Sequence, residues 1–310
     1  MTRVAAVDIG TNSTRLLVAD VEDGEVRELD RRLEITRLGE SVDERRILLP
    51  QAIARVRNVL ADYRRAAEEA GTDRTLAFAT SAVRDAENGE AFLGEIEWSY
   101  GFRTVLLSGD DEALLTFRGV SAARELAGGT LVIDVGGGST ELILGGPEGF
   151  GFHVSLDLGC VRLTERFGTS FPATAAHVRK VLAERVPELD PQAAIGVAGT
   201  ITTLATLDLG LAEEDPKVVH GHLLGAETVA AWTDRLTGMT VEEIRALRGM
   251  HPDRAPVIAA GAVVVSETLA HYGLDGLEVS EHDIMHGAAL AAAELSGEVE
   301  SPPRGAHPCC

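Results

Sequence analysis

Apolar residues recur along this chain with two periods, and each change of period marks a new element. Val4-Ala-Ala-Val-Asp-Ile9 is a short apolar run; a turn follows at Gly10–Ser13, and apolar residues then resume as far as Asp20. Glu25–Leu38 alternates loosely and reads as a third strand. From Pro50 to Ala70 the spacing lengthens, with Ile53, Val56, Val59, Leu60 and Tyr63 at helical intervals, and Gly71 ends that helix. Thr75–Ala79 is a strand leading into a helix start at Thr80–Asp85, Arg103–Leu107 is another strand, and an apolar-periodic helix follows Ser108 to about Ala127. After Gly128-Gly129 the order repeats. Leu131–Val135 and Leu142–Leu144 form a second hairpin, and His153–Leu163 reads as the third strand. Helices are predicted over Ala173–Arg185, Glu227–Thr237, Val241–Arg248, Arg254–Tyr272 and Asp283–Leu295, and strands over Ala193–Ala198 and Gly276–Val279.

Strand–strand–strand–helix–strand–helix–strand–helix, twice over, predicts an α/β fold of two similar domains, each a mixed sheet with helices on its faces. The first is placed at residues 1–127 and the second at 128–300, with a disordered tail at 301–310, where three Pro and one Gly interrupt any apolar pattern.

The chemistry sits where the apolar pattern breaks. Asp134 occupies a strand position that a core would normally fill with Val or Ile. Gly136, Gly137 and Gly138 then remove every Cβ from the turn, so backbone N–H groups can approach an anion closely. Ser139 and Thr140 add hydroxyl donors and Glu141 a second carboxylate. The first hairpin has the same parts: Asp8, then Gly10, Thr11, Asn12 and Ser13. One such turn alone is read more readily as an ordinary flexible hairpin. Two in one chain point to paired phosphate-binding hairpins facing each other across a cleft. A carboxylate beside a phosphate cradle suits Mg²⁺ or another divalent cation, which takes oxygen ligands.

Other positions leave two readings open. Gly199 and Thr200 end a strand as Thr80 and Ser81 do, placing donors at a helix start. Arg84, in such a first turn, opposes the helix dipole; it is a ligand or a solvated side chain. Asp110, Asp111 and Glu112 open a helix, either as caps or with one of them a general base. Arg162, His220, His222 and Arg254 are expected to be structural or solvated, and Cys160 a small buried core residue.

Composition narrows the partners. The 310 residues carry a net charge of −21, which opposes general binding to nucleic acid and repels polyanionic substrates, so a phosphate chain must be drawn in by metal ions and local basic groups. Cys160, Cys309 and Cys310 make no disulfide framework, and no His/Cys cluster has zinc spacing. No apolar run is long enough to span a bilayer, and Met1-Thr-Arg-Val lacks a signal-peptide layout, so a cytoplasmic protein with no membrane partner is expected.

Five motifs in order, Asp8-Ile-Gly-Thr-Asn-Ser13, Ala79-Thr-Ser-Ala-Val-Arg84, Leu107-Ser-Gly-Asp-Asp-Glu-Ala113, Asp134-Val-Gly-Gly-Gly-Ser-Thr-Glu141 and Ala198-Gly-Thr200, resemble those of the exopolyphosphatase/guanosine pentaphosphate phosphatase family. The resemblance runs from about Val4 to Leu295. It implies two ribonuclease-H-like domains of the actin, sugar-kinase and chaperone ATPase superfamily, and Mg²⁺-dependent release of terminal phosphate from inorganic polyphosphate. By motif it implies Glu112 as catalytic base, Asp134 and Glu141 as metal-side carboxylates, Asp8 as a supporting one and Arg84 as a phosphate-chain ligand. Two departures stand out: Asp111-Glu112-Ala113 where the family usually has Glu-Glu-Ala, and Met285-His286-Gly287 where it usually has Arg-Glu-Gly. Longer relatives carry further C-terminal domains, so distributive action on short or medium chains is expected here.

The rival expectations are hydrolysis of guanosine pentaphosphate (pppGpp), an ATP-dependent kinase-like activity, and a non-catalytic sensor of polyphosphate or (p)ppGpp. A nucleotide needs a base pocket, and aromatics are only 4% of the chain with none beside the motifs, which leans toward inorganic polyphosphate. A homodimer is compatible with any of these.

Overall fold

A computed structural model of the chain describes residues 1–295. The tail expected at 301–310 lies outside them. The first half runs β1 (Thr2–Ile9), β2 (Ser13–Glu22), β3 (Glu25–Ile35), α1 (Val42–Arg45), α2 (Pro50–Ala70), β4 (Arg74–Ala79), α3 (Ser81–Arg84), α4 (Gly89–Tyr100), β5 (Arg103–Leu106) and α5 (Gly109–Ala122). The second half begins with β6 (Thr130–Val135), β7 (Thr140–Gly146), β8 (Gly149–Leu156), α6 (Cys160–Phe167), α7 (Phe171–Arg185), β9 (Ala193–Val197) and α8 (Ala198–Asp208). It ends with α9 (Pro216–Val219), β10 (Leu223–Gly225), α10 (Ala226–Thr237), α11 (Val241–Arg245), α12 (Ile258–Tyr272), β11 (Gly276–Val279) and α13 (Ile284–Glu294).

The two sheets share one plan. The first has order β3-β2-β1-β4-β5, and the second β10-β11-β9-β6-β7-β8. In each, an antiparallel meander (β1–β3, β6–β8) is extended on the other side by parallel strands, β4 and β5 or β9 and β11. The expected pair of similar mixed α/β domains is therefore present. The central strands are buried on both faces, which is why they read as continuous apolar runs.

Helix α2 forms because Ala52, Val56, Leu60 and Tyr63 make one buried stripe; Pro50 opens it at N1 and Gly71 closes it in the left-handed region at φ 68°. It covers one face of the first sheet, and the Tyr63 hydroxyl donates to the Thr14 carbonyl at 2.9 Å. The last helix, α13, covers the other face of that sheet with Ile284, Met285 and Ala288, although it comes from the end of the chain. Conversely, α5 packs Ala113, Phe117 and Val120 on Val132 and Ile143 of the second sheet. The two helices cross at Gly119 and Gly287. A Cβ at Gly119 would lie 1.9 Å from the Asp283 carbonyl oxygen, and one at Gly287 1.9 Å from that of Leu115. A division at 127/128 thus separates the sheets but not their covering helices.

Three expectations change. The third strand of the second half ends at Leu156, and Cys160–Leu163, expected to continue it, opens helix α6. The cause is tertiary: the first amides of α6 donate to the glycine turn, Cys160 N to Gly136 O at 3.0 Å and Val161 N to Gly137 O at 2.8 Å. The helix expected after Ala79 is broken into a single turn, α3, and α4, because the chain folds back tightly at Gly89, where a Cβ would lie 2.1 Å from the Val83 carbonyl oxygen. Arg254 lies before α12, in a turn, and not within the helix. Among the described residues no helix is long and apolar enough to cross a membrane.

Candidate active site

The two hairpins meet at their turns and wall one cleft of about 860 Å³ of atom-free space. Within each, the turn is closed by the same backbone bond, Gly10 N to Ser13 O and Gly136 N to Ser139 O, both at 3.0 Å. The turns pack tip to tip. A Cβ at Gly137 would come within 3.1 Å of the Asn12 nitrogen, and one at Gly138 within 2.3 Å of the Ser81 hydroxyl. That contact needs glycine, so these glycines let the two turns close onto each other.

Strand register places the carboxylates. Asp134 and Glu141 are direct cross-strand partners, so their side chains share a face. Both are buried, and their side-chain partners are hydroxyls: Thr116 donates to Asp134 at 3.3 Å and Ser155 to Glu141 at 2.7 Å. Glu112 reaches the same cleft from the first turn of α5. Its neighbours behave differently. Asp111 closes a capping box with Ser108, and Asp110 is exposed, 3.0 Å from His153 Nε2. Burial raises Glu112 to about 7 even though Arg84 opposes the shift; burial raises Asp134, and burial together with Glu112 and Asp134 pushes Glu141 well above its usual range. Crowded buried carboxylates resist ionising together.

Asp8 also lines the cleft, but its cross-strand partner is Arg15. Arg15 donates to Asp8 Oδ2 from Nε (2.9 Å) and Nη2 (2.7 Å), while Oδ1 is buried without a hydrogen-bond partner.

The remaining expected donors divide. Gly10, Thr11, Asn12, Ser13, Gly136, Gly137, Gly138, Ser139, Gly199 and Thr200 all line the cleft. Thr140 does not; its hydroxyl donates to the Leu158 carbonyl at 2.9 Å and closes the base of the turn. Arg84 is absent from the cleft wall as well. It donates to Glu112 Oε1 at 2.5 Å and to the Leu107 carbonyl at 2.7 Å, so it holds the acid rather than reaching into the cleft. The Thr11 hydroxyl is engaged with Ser81 at 2.8 Å.

Sequence reasoning passed over Arg15 and gave Arg254 a structural or solvated role, yet both stand in the wall. Arg254 donates to Gly199 O (2.8 Å), Thr203 Oγ1 (2.7 Å) and Glu214 Oε2 (3.0 Å). A signal for Arg15 existed: Asp8-Ile-Gly-Thr-Asn-Ser-Thr-Arg15 aligns residue for residue with Asp134-Val-Gly-Gly-Gly-Ser-Thr-Glu141. Ala198, the first residue of α8, is a non-glycine residue at φ 70°, backbone strain set directly on the cleft wall. Cys160 also lies in the wall, beside Thr200, and burial pushes its thiol up to about 11, so it is not a reactive thiolate. Arg162 is structural, as expected: it donates to Gly138 O at 2.8 Å and to Asp85 at 2.5 Å, and also pairs with Asp43, tying α6 to the first half.

The donor set fits a hard cation. Asp134 and Glu141 offer adjacent carboxylate oxygens, and Asp8 Oδ1 is an orphaned acceptor nearby. Among the described residues no group of three or more His, Cys, Asp or Glu side chains makes a complete metal cage by itself. Mg²⁺ takes one or two carboxylates plus substrate phosphates and waters, and Asp134 with Glu141 offers two.

Comparison with known proteins gives a consistent answer. The model of the Ppx/GppA phosphatase family matches residues 17–294. Exopolyphosphatase 2 of Mycobacterium tuberculosis is 39% identical over 317 residues, which cover 94% of this chain and 99% of that protein. The crystal structure of an exopolyphosphatase-like protein superposes with a TM-score of 0.87 at 35% identity, covering 93% of this chain and 98% of the other. That of the Ppx/GppA family member from Aquifex aeolicus gives 0.79 at 31% identity, covering 94% and 97%.

Proposed function

The chain belongs to the Ppx/GppA phosphatase family, and from that membership we propose that it is an exopolyphosphatase, releasing terminal orthophosphate from inorganic polyphosphate. The observation that carries this reading is the set of buried carboxylates Glu112, Asp134 and Glu141, gathered in one cleft beside two glycine turns. Phosphoryl transfer depends on charge neutralisation and an oriented nucleophile more than on covalent help.

The roles follow from position. Backbone N–H groups of Thr11–Ser13 and Gly137–Ser139 bind the non-bridging oxygens of the terminal phosphate, those of Gly10 and Gly136 being spent on closing the turns. Asp134 and Glu141, with Asp8 in support, would hold Mg²⁺, which when bound supplies the positive charge that a cleft so rich in carboxylates lacks. Glu112 accepts the proton of the attacking water. An acid raised to about 7 is matched to that task near neutral pH. Arg84 orients Glu112 through their direct bond, a role different from the expected chain ligand.

The substrate reading is supported by the walls, which carry no Phe, Tyr, Trp or His among the described residues and so offer no stacking surface for a nucleobase. Phosphate release is to be measured from polyphosphates of several lengths, from guanosine pentaphosphate and from ATP, each with and without Mg²⁺. Release from polyphosphate that requires Mg²⁺ supports the proposal. Turnover of the nucleotide alone would move the assignment to the alarmone, and binding without release would make the chain a sensor.

A further inference from the structure

The start of α6 takes the carbonyls of all three glycines in the second turn. Cys160 N donates to Gly136 O at 3.0 Å, Val161 N to Gly137 O at 2.8 Å and Gly159 N to Gly138 O at 3.2 Å. Gly138 O also accepts from Arg162 Nε at 2.8 Å. A Cβ at Gly159 would lie 2.2 Å from Gly137 O, so this approach needs glycine. In a planar trans peptide the N–H points opposite to the C=O of the same unit, and no peptide bond of the described residues is cis. Holding these three carbonyls therefore aims the next three amides, those of Gly137, Gly138 and Ser139, away from α6. All three residues line the cleft, and their amides have no backbone acceptor among the described residues.

The first turn is held by the same device. Thr11 O accepts from Gly39 N at 2.8 Å, and Asn12 O from Thr36 N at 3.0 Å and Arg37 N at 2.9 Å, which aims the amides of Asn12 and Ser13. In each half the segment that follows the third strand does the holding. The halves differ in one respect: only backbone amides hold the first turn, whereas the second also uses a side chain.

That side chain reaches across the molecule. Arg162 is 8% exposed and is not part of the cleft wall. Its Nε is on Gly138 O, its Nη2 on Asp85 at 2.5 Å and its Nη1 on Asp43, both acids of the first half. Asp157, from its own half, is exposed and stands farther off at 3.7 Å. A guanidinium is one rigid plane, so its two ends cannot be set independently.

We infer that Arg162 is a positioning residue: Asp43 and Asp85 of the first half fix the plane that holds the Gly138 carbonyl, so contact between the two halves aims the Ser139 amide at the phosphate. The cradle is thus completed by closure of the cleft, although the residue that completes it touches no substrate.

The kinetic arm of the test rests on the phosphatase reading; the second arm needs no turnover. Phosphate release from tripolyphosphate is measured for wild type, Arg162→Lys, the pair Asp43→Asn with Asp85→Asn, and all three changes together. The Ser139 amide is followed by NMR as inorganic phosphate and Mg²⁺ are added. Arg162→Lys keeps a charge between the acids but lacks the fork that also reaches Gly138 O. Its stability to denaturant should stay near that of wild type. Turnover should fall about tenfold, less than the ~10²-fold expected for deleting a donor outright. The phosphate-induced shift of the Ser139 amide should shrink with it. The two Asn changes, at half-buried positions, should reproduce both effects and add nothing to Arg162→Lys, because residues that act as one unit are not additive. Wild-type turnover and a wild-type Ser139 shift in Arg162→Lys overturn the proposal, as do additive losses in the triple variant. A wild type that releases no phosphate defeats the phosphatase reading, and the Ser139 shifts alone then decide the role of Arg162.

Discussion

The two hairpins have one backbone and opposite electrostatics. Each is an apolar strand, an Asp, a glycine turn closed by the same 3.0 Å bond, a Ser-Thr pair and a returning strand. They differ at the residue paired across from the aspartate, Arg15 in the first and Glu141 in the second. The first hairpin is therefore neutralised from within, and Asp8 is held by a fixed guanidinium. In the second, two carboxylates face each other with hydroxyls as their side-chain partners, and Glu112 adds a third charge from α5. One architecture thus yields a paired aspartate in one half and facing carboxylates in the other, by a single change of sign.

The largest expected effect removes the acid that stands over the second hairpin. Glu112→Gln keeps the shape and deletes the proton acceptor, so turnover should fall at least ~10²-fold while polyphosphate still binds. Asp110→Asn, one turn position away and exposed, should change little. Steady-state rates and binding isotherms of both variants check this, and an active Glu112→Gln beside a dead Asp110→Asn would place the base elsewhere.

A charge copy tests the comparison itself. Glu141→Arg writes the first hairpin's pattern onto the second, giving Asp134 the partner that Asp8 has. Turnover should drop on the order of 10²-fold, the usual scale for losing one electrostatic contribution to a charged transition state. Mg²⁺ affinity by calorimetry should fall with it, while the fold survives; unchanged Mg²⁺ binding would contradict the metal assignment.

The reverse operation unbalances the first hairpin. Arg15→Leu leaves Asp8 and Asp283 buried without their shared cation, a loss of about 3 kcal/mol at neutral pH. Protonation relieves unpaired carboxylates, so chemical denaturation should show a smaller deficit near pH 5 than near pH 8. A deficit independent of pH would mean that the loss is one of packing.

The smallest effect is expected in the wild-type protein. Glu112, Asp134 and Glu141 all have raised values in the fold, so the native state holds protons there that the unfolded chain has released. Their contribution is complete below the ordinary carboxylate range and is lost as pH rises through about 7, where Glu112 ionises. Thermal melts without metal should therefore fall between pH 5 and pH 8, and added Mg²⁺ should restore more at pH 8 than at pH 5. Equal Mg²⁺ shifts at both would dissociate these groups from the metal.

What the chain determined by itself was local. Each hairpin lies within about twenty residues, from Thr2 to Glu22 and from Thr130 to Gly146, and its turn closes on itself. So Asp8, Asp134, Glu141 and the glycine turns were legible in the sequence, as was Glu112 at the start of a capped helix. The tertiary structure decided whatever depends on distant segments. Arg15 meets Asp283 268 residues away, because α13 returns to cover the first sheet while α5 crosses to the second. The segment Cys160–Leu163 is a helix because the carbonyls that receive its first amides belong to the glycine turn. Arg84 faces Glu112, and Thr140 a carbonyl, because a polar side chain drawn out of water takes the partner that packing brings within reach. Periodicity records which face of an element is buried; it does not record which element comes to bury it.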